Sequence, residues 1–124
     1  MKKGYEWWMN YCKCRITEYG KRIENLLECS KDDGWCELLK HKSDMLYKLQ
    51  YRKQFFEGLQ GRIEPYKDDC DKFSEELGYF FQLLRVHLDE DEICPQTSNV
   101  NYNHFRLVEY TEQRSLYNEL IKFV

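Results

Sequence analysis

Alanine is absent from this 124-residue sequence, and only two prolines occur in it. Helical bundles normally use alanine as the small residue between facing helices, so its absence leaves that space to larger side chains. Tyrosine, phenylalanine and tryptophan together make up 16% of the residues. The composition therefore predicts a core that is rich in aromatic rings.

Long hydrophobic runs are also missing. No stretch approaches the roughly 20 apolar residues that span a bilayer. A secretory signal has a continuous apolar segment after its basic residues, and no such segment follows Lys2 and Lys3. We therefore expect a cytoplasmic protein that does not enter the membrane. In that compartment the six cysteines are by default reduced thiols, which pack as small hydrophobic residues.

The motifs of common catalytic sites are absent as well. The sequence has no glycine-rich phosphate loop, no nucleophile elbow and no His-x-x-x-His or Glu-x-x-His pair. Only three histidines are present. We therefore expect neither catalysis nor a bound cofactor.

The dominant pattern is helical. Four segments carry apolar residues at alternating spacings of three and four, which is the period of an amphipathic helix. They predict helices over residues 5–29 and 35–63, from Pro65 to the acidic residues 89–92, and from Asn101 or Asn103 to the end. No linker divides them, so we expect residues 1–124 to form one all-α domain, an antiparallel bundle of about four helices with an aromatic-rich core.

The same stripes assign core positions. Side chains predicted to face the core include Trp8, Met45, Phe56, Phe80, Leu84, Leu107 and Leu116. Gly78 lies between ring positions of the third helix and predicts a notch where another helix approaches closely. The segment 100–108 alternates apolar and polar residues in part, so a short strand is the alternative to helix there.

Charge is segregated along the chain. Residues 1–63 hold 13 Lys/Arg against 9 Asp/Glu, a net of +4, whereas residues 64–92 hold 3 against 10, a net of −7. Within the acidic part, Asp68, Asp71 and Glu75 lie on adjacent helical turns, with Glu76 beside them. Such a row attracts a basic partner and can occupy a groove that otherwise binds nucleic-acid phosphates. The alternatives are a solvated helix face and stabilisation of a helix N-terminus.

Four large rings lie off the predicted core stripes: Trp7, Tyr11, Tyr47 and Tyr51. Tryptophan and tyrosine are enriched where interfaces concentrate their binding energy, so we interpret these rings, together with the three carboxylates, as partner-binding residues. The alternative is a second buried layer that packs against the fourth helix.

The residues leave two further functions open, nucleic-acid binding and a zinc-stabilised regulator. The basic residues Lys40, His41, Lys42, Lys48, Arg52 and Lys53 surround Tyr47 and Tyr51 on the second helix, in the pattern of a nucleic-acid surface. The low pI of about 5.7 argues against a direct nucleic-acid ligand.

The connections near residues 32 and 95 share one end of an up-down bundle. One possibility there is a zinc site formed by Cys29, Cys36 and Cys94 with His104 or His87. The other is a disulfide between Cys29 and Cys36. The spacing between Cys29 and Cys36 is wider than that of a zinc knuckle, so we expect no metal and ordinary thiols.

The sequence thus favours a non-enzymatic protein-binding module. The lack of alanine, with abundant lysine, asparagine and tyrosine, is typical of an AT-rich genome, which suits a small phage or mobile-element inhibitor or adaptor. We expect it to block a host protein with a basic surface, such as one that handles nucleic acid, in the host cytoplasm. A homodimer and a nucleic-acid-binding or zinc-stabilised regulator are the alternatives.

Overall fold

The computed structural model describes residues 2–29, 35–93 and 100–124 of the chain. Side chains at position 29 and in the ranges 35–42, 90–93 and 100–105 lie outside this description. All statements below refer to the described residues.

Four α-helices account for most of the described chain. They are α1 (Tyr5–Cys29), α2 (Trp35–Ile63), α3 (Cys70–Ile93) and α4 (Val100–Leu120), with single 3-10 turns at Glu64–Tyr66 and Ile121–Phe123. The predicted all-α fold is confirmed, and the bounds of α1 and α2 agree with those expected from their apolar stripes. Residues 100–108 are helical, so the strand alternative is wrong.

The junction between α2 and α3 shows why one helix ends and the next begins. Pro65 lies in the first positions of the 3-10 turn, where a backbone N–H would have no acceptor within the helix, so the N–H that proline lacks is not needed. Asp69 then caps α3, because its Oδ1 accepts a hydrogen bond from the Lys72 amide at 3.0 Å. At the other junction the expected capping role of Asn101 and Asn103 is wrong. The helix already begins at Val100, so both asparagines lie within its first turn.

The helices run up and down in an antiparallel bundle. The Tyr5 hydroxyl, at the start of α1, donates a hydrogen bond to the Glu64 carbonyl at 3.2 Å, and the Tyr5 ring packs edge-on against Phe73 of α3 at 5.6 Å. The Lys3 amide donates to the Phe123 carbonyl at 2.9 Å. One end of the bundle therefore gathers the start of α1, the junction of α2 with α3, and the end of α4.

The core between the helices is rich in aromatic rings, as predicted. Five rings are buried among aliphatic side chains: Trp8, Tyr19, Phe56, Phe73 and Phe81. The aliphatic part comes mainly from Leu59, Ile63, Leu77, Leu84, Leu116 and Leu120. Rings therefore fill the space between helices that smaller residues occupy in alanine-rich bundles.

Three core predictions need correction. Met45 is 43% exposed and Leu107 is 63% exposed, although both were expected to face the core. On α4 the buried positions are instead four residues apart: Val108, Glu112, Leu116 and Leu120. Because Glu112 is charged, it interrupts the apolar pattern from which this stripe could have been predicted. On α3 the fully inserted ring is Phe81, whereas Phe80 is half-buried at the edge of the core.

The predicted notch at Gly78 is also wrong. A Cβ placed on Gly78 would meet no atom within 4 Å, so no helix approaches it closely. The described glycines of the bundle have no positive φ angle either. Another residue could therefore replace Gly78 without a clash or backbone strain.

Candidate functional site

A groove with a volume of about 280 Å³ runs between α2 and α3. On the α2 side, Tyr51, Phe55 and Arg62 line it, and Gly58 leaves a gap in that wall. An added Cβ at Gly58 would meet no atom within 4 Å, so the space beside it belongs to the groove. One of the predicted partner-binding rings, Tyr51, therefore lies in a concave surface.

The α3 wall of the groove is apolar and is anchored in the core. Phe80, Leu83 and Leu84 line it. Phe80 packs edge-on against Phe55 across the groove at 5.4 Å, and its neighbour Phe81 is a core ring 5.5 Å away. The contact of Phe80 with Phe55 therefore joins the two walls of the groove, and Phe81 connects the α3 wall to the core.

Gln113 of α4 adds a polar group to this apolar lining. Its side-chain Oε1 is buried and has no hydrogen-bond partner. Such an acceptor is costly, because it has lost its water without gaining a donor. The other buried polar atom without a partner in the described part of the chain is Nε1 of Trp8, which belongs to the core.

The rim of the groove carries the guanidinium of Arg62, which is paired with a carboxylate. Arg62 lies over the Tyr79 ring at 5.5 Å and pairs with Glu76 at 3.4 Å. His87 lines the groove from α3 and is exposed. Glu76 is therefore engaged with α2 and does not belong to the acidic row on the outer face of α3.

The predicted acidic row lies on the surface. Asp68 precedes α3, and Asp71 and Glu75 lie on its first two turns; all three side chains are exposed. None of the three makes an ion pair within the described ranges. Their negative charge is therefore directed to solvent at the start of α3, and another face of this helix forms a wall of the groove.

Trp7 and Tyr11 lie elsewhere, where α1 packs against the end of α4. Trp7 stacks on Tyr11 at 5.0 Å and contacts Phe123 at 4.7 Å. The Tyr11 hydroxyl donates to Glu119 at 3.1 Å, and Arg15 binds the same carboxylate at 2.9 Å. Both rings are half-buried in the second layer considered as the alternative. As partner-binding residues they stay predictions.

The predicted nucleic-acid surface is partly used inside the bundle. Arg52 donates hydrogen bonds to Glu112, to the Tyr19 hydroxyl at 3.2 Å and to Ser115 at 3.3 Å. Burial lowers the pKa of Arg52, but these bonds outweigh it and raise the pKa. Lys53 lies 3.9 Å from Glu57. The guanidinium of Arg52 thus joins three helices and does not face a phosphate.

Tyr47 is likewise bound to the bundle. Its hydroxyl donates a hydrogen bond to Glu109 of α4. Burial and this bond raise the pKa of Tyr47 to about 12. The structure therefore separates the predicted rings: Tyr51 lines the groove, Tyr47 contacts α4, and Trp7 and Tyr11 contact the end of α4.

The cysteines that the structure describes are free thiols: Cys12, Cys14 and Cys70. Cys12 is buried, and burial raises its pKa to about 12, so its thiol is protonated at neutral pH. The predicted zinc set of Cys29, Cys36, Cys94 and His104 lies outside the described side chains. Within the described part, no group of three or more metal-ligating side chains comes together.

Gln113 and Leu83 are groove residues that the sequence did not single out, and His87 was considered only as a zinc ligand. Gln113 lies on α4 and the other two lie on α3, and only the rotation of each helix about its axis brings them to one groove. One signal was present for α2, since Tyr51 and Phe55, four residues apart, form a stripe separate from the core stripe.

Comparison with known proteins identifies no relative: no protein-family model, curated protein or solved structure matches the chain. Among the described helices, none is both long enough and apolar enough to cross a membrane.

Proposed function

We propose that this protein is a non-enzymatic protein-binding module that holds its partner on the side of the bundle formed by α2 and α3. One observation carries the proposal: α3 presents an exposed row of carboxylates, and the same helix forms a wall of an aromatic groove. Apolar grooves between helices supply binding energy, whereas surface charge accelerates encounter with an oppositely charged partner.

The proposed partner has a basic surface, because Asp68, Asp71 and Glu75 are exposed and unpaired within the described residues. A row of carboxylates also competes for a surface that binds phosphates. On this basis we propose a partner that handles nucleic acid. The composition, without alanine and rich in lysine, asparagine and tyrosine, suits an inhibitor or adaptor of phage or mobile-element origin, which we propose acts in the host cytoplasm. The free thiols of Cys12, Cys14 and Cys70 suit that reducing compartment.

A direct nucleic-acid-binding function is the weaker candidate. The guanidinium of Arg52 is hydrogen-bonded within the bundle, and the hydroxyl of Tyr47 is bonded to Glu109. These groups would have to leave their partners before they could bind phosphates or bases.

Two glycine variants of α2 test the proposal. Gly58 lines the groove and Gly61 does not, yet an added Cβ at either position meets no atom within 4 Å. Leucine improves helix propensity at both sites by a similar amount. Gly58→Leu therefore fills the groove, and Gly61→Leu is the matched control.

Each purified variant serves as bait in a host lysate, and the captured proteins are identified by mass spectrometry. We expect one protein to be retained by the wild type and by Gly61→Leu but lost with Gly58→Leu. Equal retention by all three baits would show that the groove is not the binding site. Sedimentation of the bait alone, at the same concentration, distinguishes a second copy of this chain from a different partner.

A further inference from the structure

The side of α4 that faces away from the core carries a second stripe of large side chains. We call it the outer seam, and its members recur at spacings of three, four, three and four: Leu107, Tyr110, Arg114, Tyr117 and Ile121. The first four lie on α4, and Ile121 opens the 3-10 turn that continues it. This spacing is the one at which one helix packs lengthwise against another.

The outer seam is exposed although four of its five members are apolar or aromatic. Leu107 is 63% exposed, the largest value for any large hydrophobic side chain in the described ranges, and Ile121 is 38% exposed. Tyr110 and Tyr117 are half-buried, and the Tyr117 ring lies 6.3 Å from the core ring of Phe81. From end to end the seam is about 21 Å long, which is about four helical turns. Its length therefore suits one partner helix.

The charged side chains of α4 are divided between the core side and the outer seam. All three carboxylates of the helix are bound by side chains of α1 and α2: Tyr47 binds Glu109, Arg52 binds Glu112, and Arg15 binds Glu119. Arg114, at the centre of the outer seam, is exposed and makes no hydrogen bond, ion pair or ring contact within the described part of the chain. The seam thus presents an unpaired cation between apolar groups.

These features favour one kind of occupant over two others. A second copy bound through the same seam would add another arginine, and no carboxylate of α4 would be free to pair with either. Nucleic acid would pair with Arg114 but would leave Leu107 and Ile121 without an apolar partner. A helix with an apolar stripe covers both of these side chains, and an acidic residue within that stripe pairs with Arg114.

We propose that the outer seam of α4 binds an amphipathic helix of a second protein, with an aspartate or glutamate at the middle of its apolar stripe, opposite Arg114. This inference goes beyond the proposed function, because the outer seam shares no residue with the groove between α2 and α3. A chain with two separate binding surfaces can join two proteins, so the inference favours an adaptor over an inhibitor.

Two designed helical peptides test the inference on the complete protein. Both are held helical by a side-chain link and carry the same stripe of leucines at spacings of three and four. The middle position of the stripe is glutamate in one peptide and lysine in the other. Binding is followed by NMR titration of the isotopically labelled protein, through the backbone amides of α4.

A charge-reversed variant and a matched control accompany the wild type. Arg114→Glu reverses the charge of the outer seam, and Lys13→Glu reverses that of an exposed side chain on α1. Neither position has a charged residue three or four places away in its helix, so the two substitutions act on similar local surroundings.

For the wild type we expect saturable shifts in α4, with the glutamate peptide bound about fivefold more tightly than the lysine peptide. Arg114→Glu should reverse this preference, and Lys13→Glu should retain it. Leu107→Ser should weaken both peptides by about fivefold, because it removes apolar area from the seam. Its thermal midpoint should stay close to that of the wild type, since Leu107 is 63% exposed.

Equal affinity of the two peptides for the wild type would overturn the inference, as would a preference that Arg114→Glu does not change. Shifts confined to other helices, or no saturable shift, would also contradict it. Concentration-dependent shifts of the same amides without peptide would assign the seam to a second copy instead, and shifts with a short single-stranded DNA alone would assign it to nucleic acid.

The comparison of the two peptides on the wild type needs no variant, so it decides the inference even if Arg114→Glu does not fold. A negative result removes the outer seam as a binding surface and leaves the lysate experiment intact. Equal capture by the two glycine variants, in contrast, removes the groove and leaves the outer seam untouched.

Discussion

Arg52 of α2 and Glu112 of α4 form an ion pair whose carboxylate is inside the bundle. Glu112 is 8% exposed, and among the described residues it is the one charged side chain that is buried. Nε of Arg52 donates to its Oε2, while the other guanidinium nitrogens bind Tyr19 and Ser115. The pair thus links α2, α4 and α1 at one level of the bundle.

Removal of one partner from this pair should be costly. Arg52→Met leaves the Glu112 carboxylate buried without its cation, and we expect a loss of about 3 kcal/mol in the free energy of unfolding, measured by urea denaturation. The double variant Arg52→Met with Glu112→Leu should recover most of that loss, because it leaves no charge unpaired.

The neighbouring pair of Lys53 with Glu57 is the control. The two groups are 3.9 Å apart, and their side chains are 39% and 50% exposed, so Lys53→Met should change the stability by less than about 0.5 kcal/mol. If Arg52→Met costs no more than Lys53→Met, the buried pair does not hold the helices together.

Phe80 and Phe81 are adjacent rings of the same chemistry in different surroundings. Phe81 is 2% exposed within the core, so Phe81→Ala should destabilise the protein by about 4 kcal/mol. Phe80 is half-buried at the groove, and Phe80→Ala should cost clearly less. The reverse order in thermal or urea unfolding would mean that α3 is rotated by about one residue relative to the arrangement described.

Gly78 offers a stabilising substitution. It lies inside α3 with free space around a prospective Cβ. Gly78→Ala should raise the free energy of unfolding by about 0.5 to 1 kcal/mol, because alanine has the better helix propensity and restricts the unfolded chain. Destabilisation would instead indicate the close helix approach that the sequence suggested.

The hydrogen bond from Tyr47 to Glu109 predicts a response to alkaline pH. Burial and this bond raise the pKa of Tyr47 from 10 to about 12 in the folded protein. The associated stability is therefore complete below pH 10 and is lost as the pH rises toward 12, since the unfolded chain releases the proton first. Tyr47→Phe should lose less stability than the wild type over this interval in urea titrations. Parallel curves would contradict the assignment.

The sequence predicts the helices of this protein better than their contacts. The stripe from Tyr5 through Trp8 and Cys12 has an uninterrupted helical period, and the bounds of α1 follow from it. α4 was harder to predict, because Glu112 occupies a core position that a hydrophobicity pattern reads as surface. Its burial depends on Arg52, which comes from a different helix and is 60 residues away in the chain.

The groove could not be predicted for a related reason. Tyr51 and the carboxylates Asp68, Asp71 and Glu75 were singled out from residue type and spacing. Gln113 was not, because its significance lies in a missing hydrogen bond within a folded arrangement. Periodicity shows which face of a helix is apolar, but a gap between two faces depends on how the helices are rotated and spaced.

The most direct test of the central claim, that a basic protein partner is held on the α2 and α3 side, is the association rate of the captured partner with two charge-reversed variants. One variant carries Asp71→Lys and Glu75→Lys on α3, and the other carries Glu6→Lys and Glu24→Lys on α1. All four carboxylates are exposed, so the change in charge is the same in the two variants, and Asp71 and Glu6 both lie in the first turn of their helix. We expect the α3 variant to associate about tenfold more slowly at low salt and with a weaker salt dependence, while the α1 variant stays close to the wild type. Equal rates for the two variants would contradict the claim.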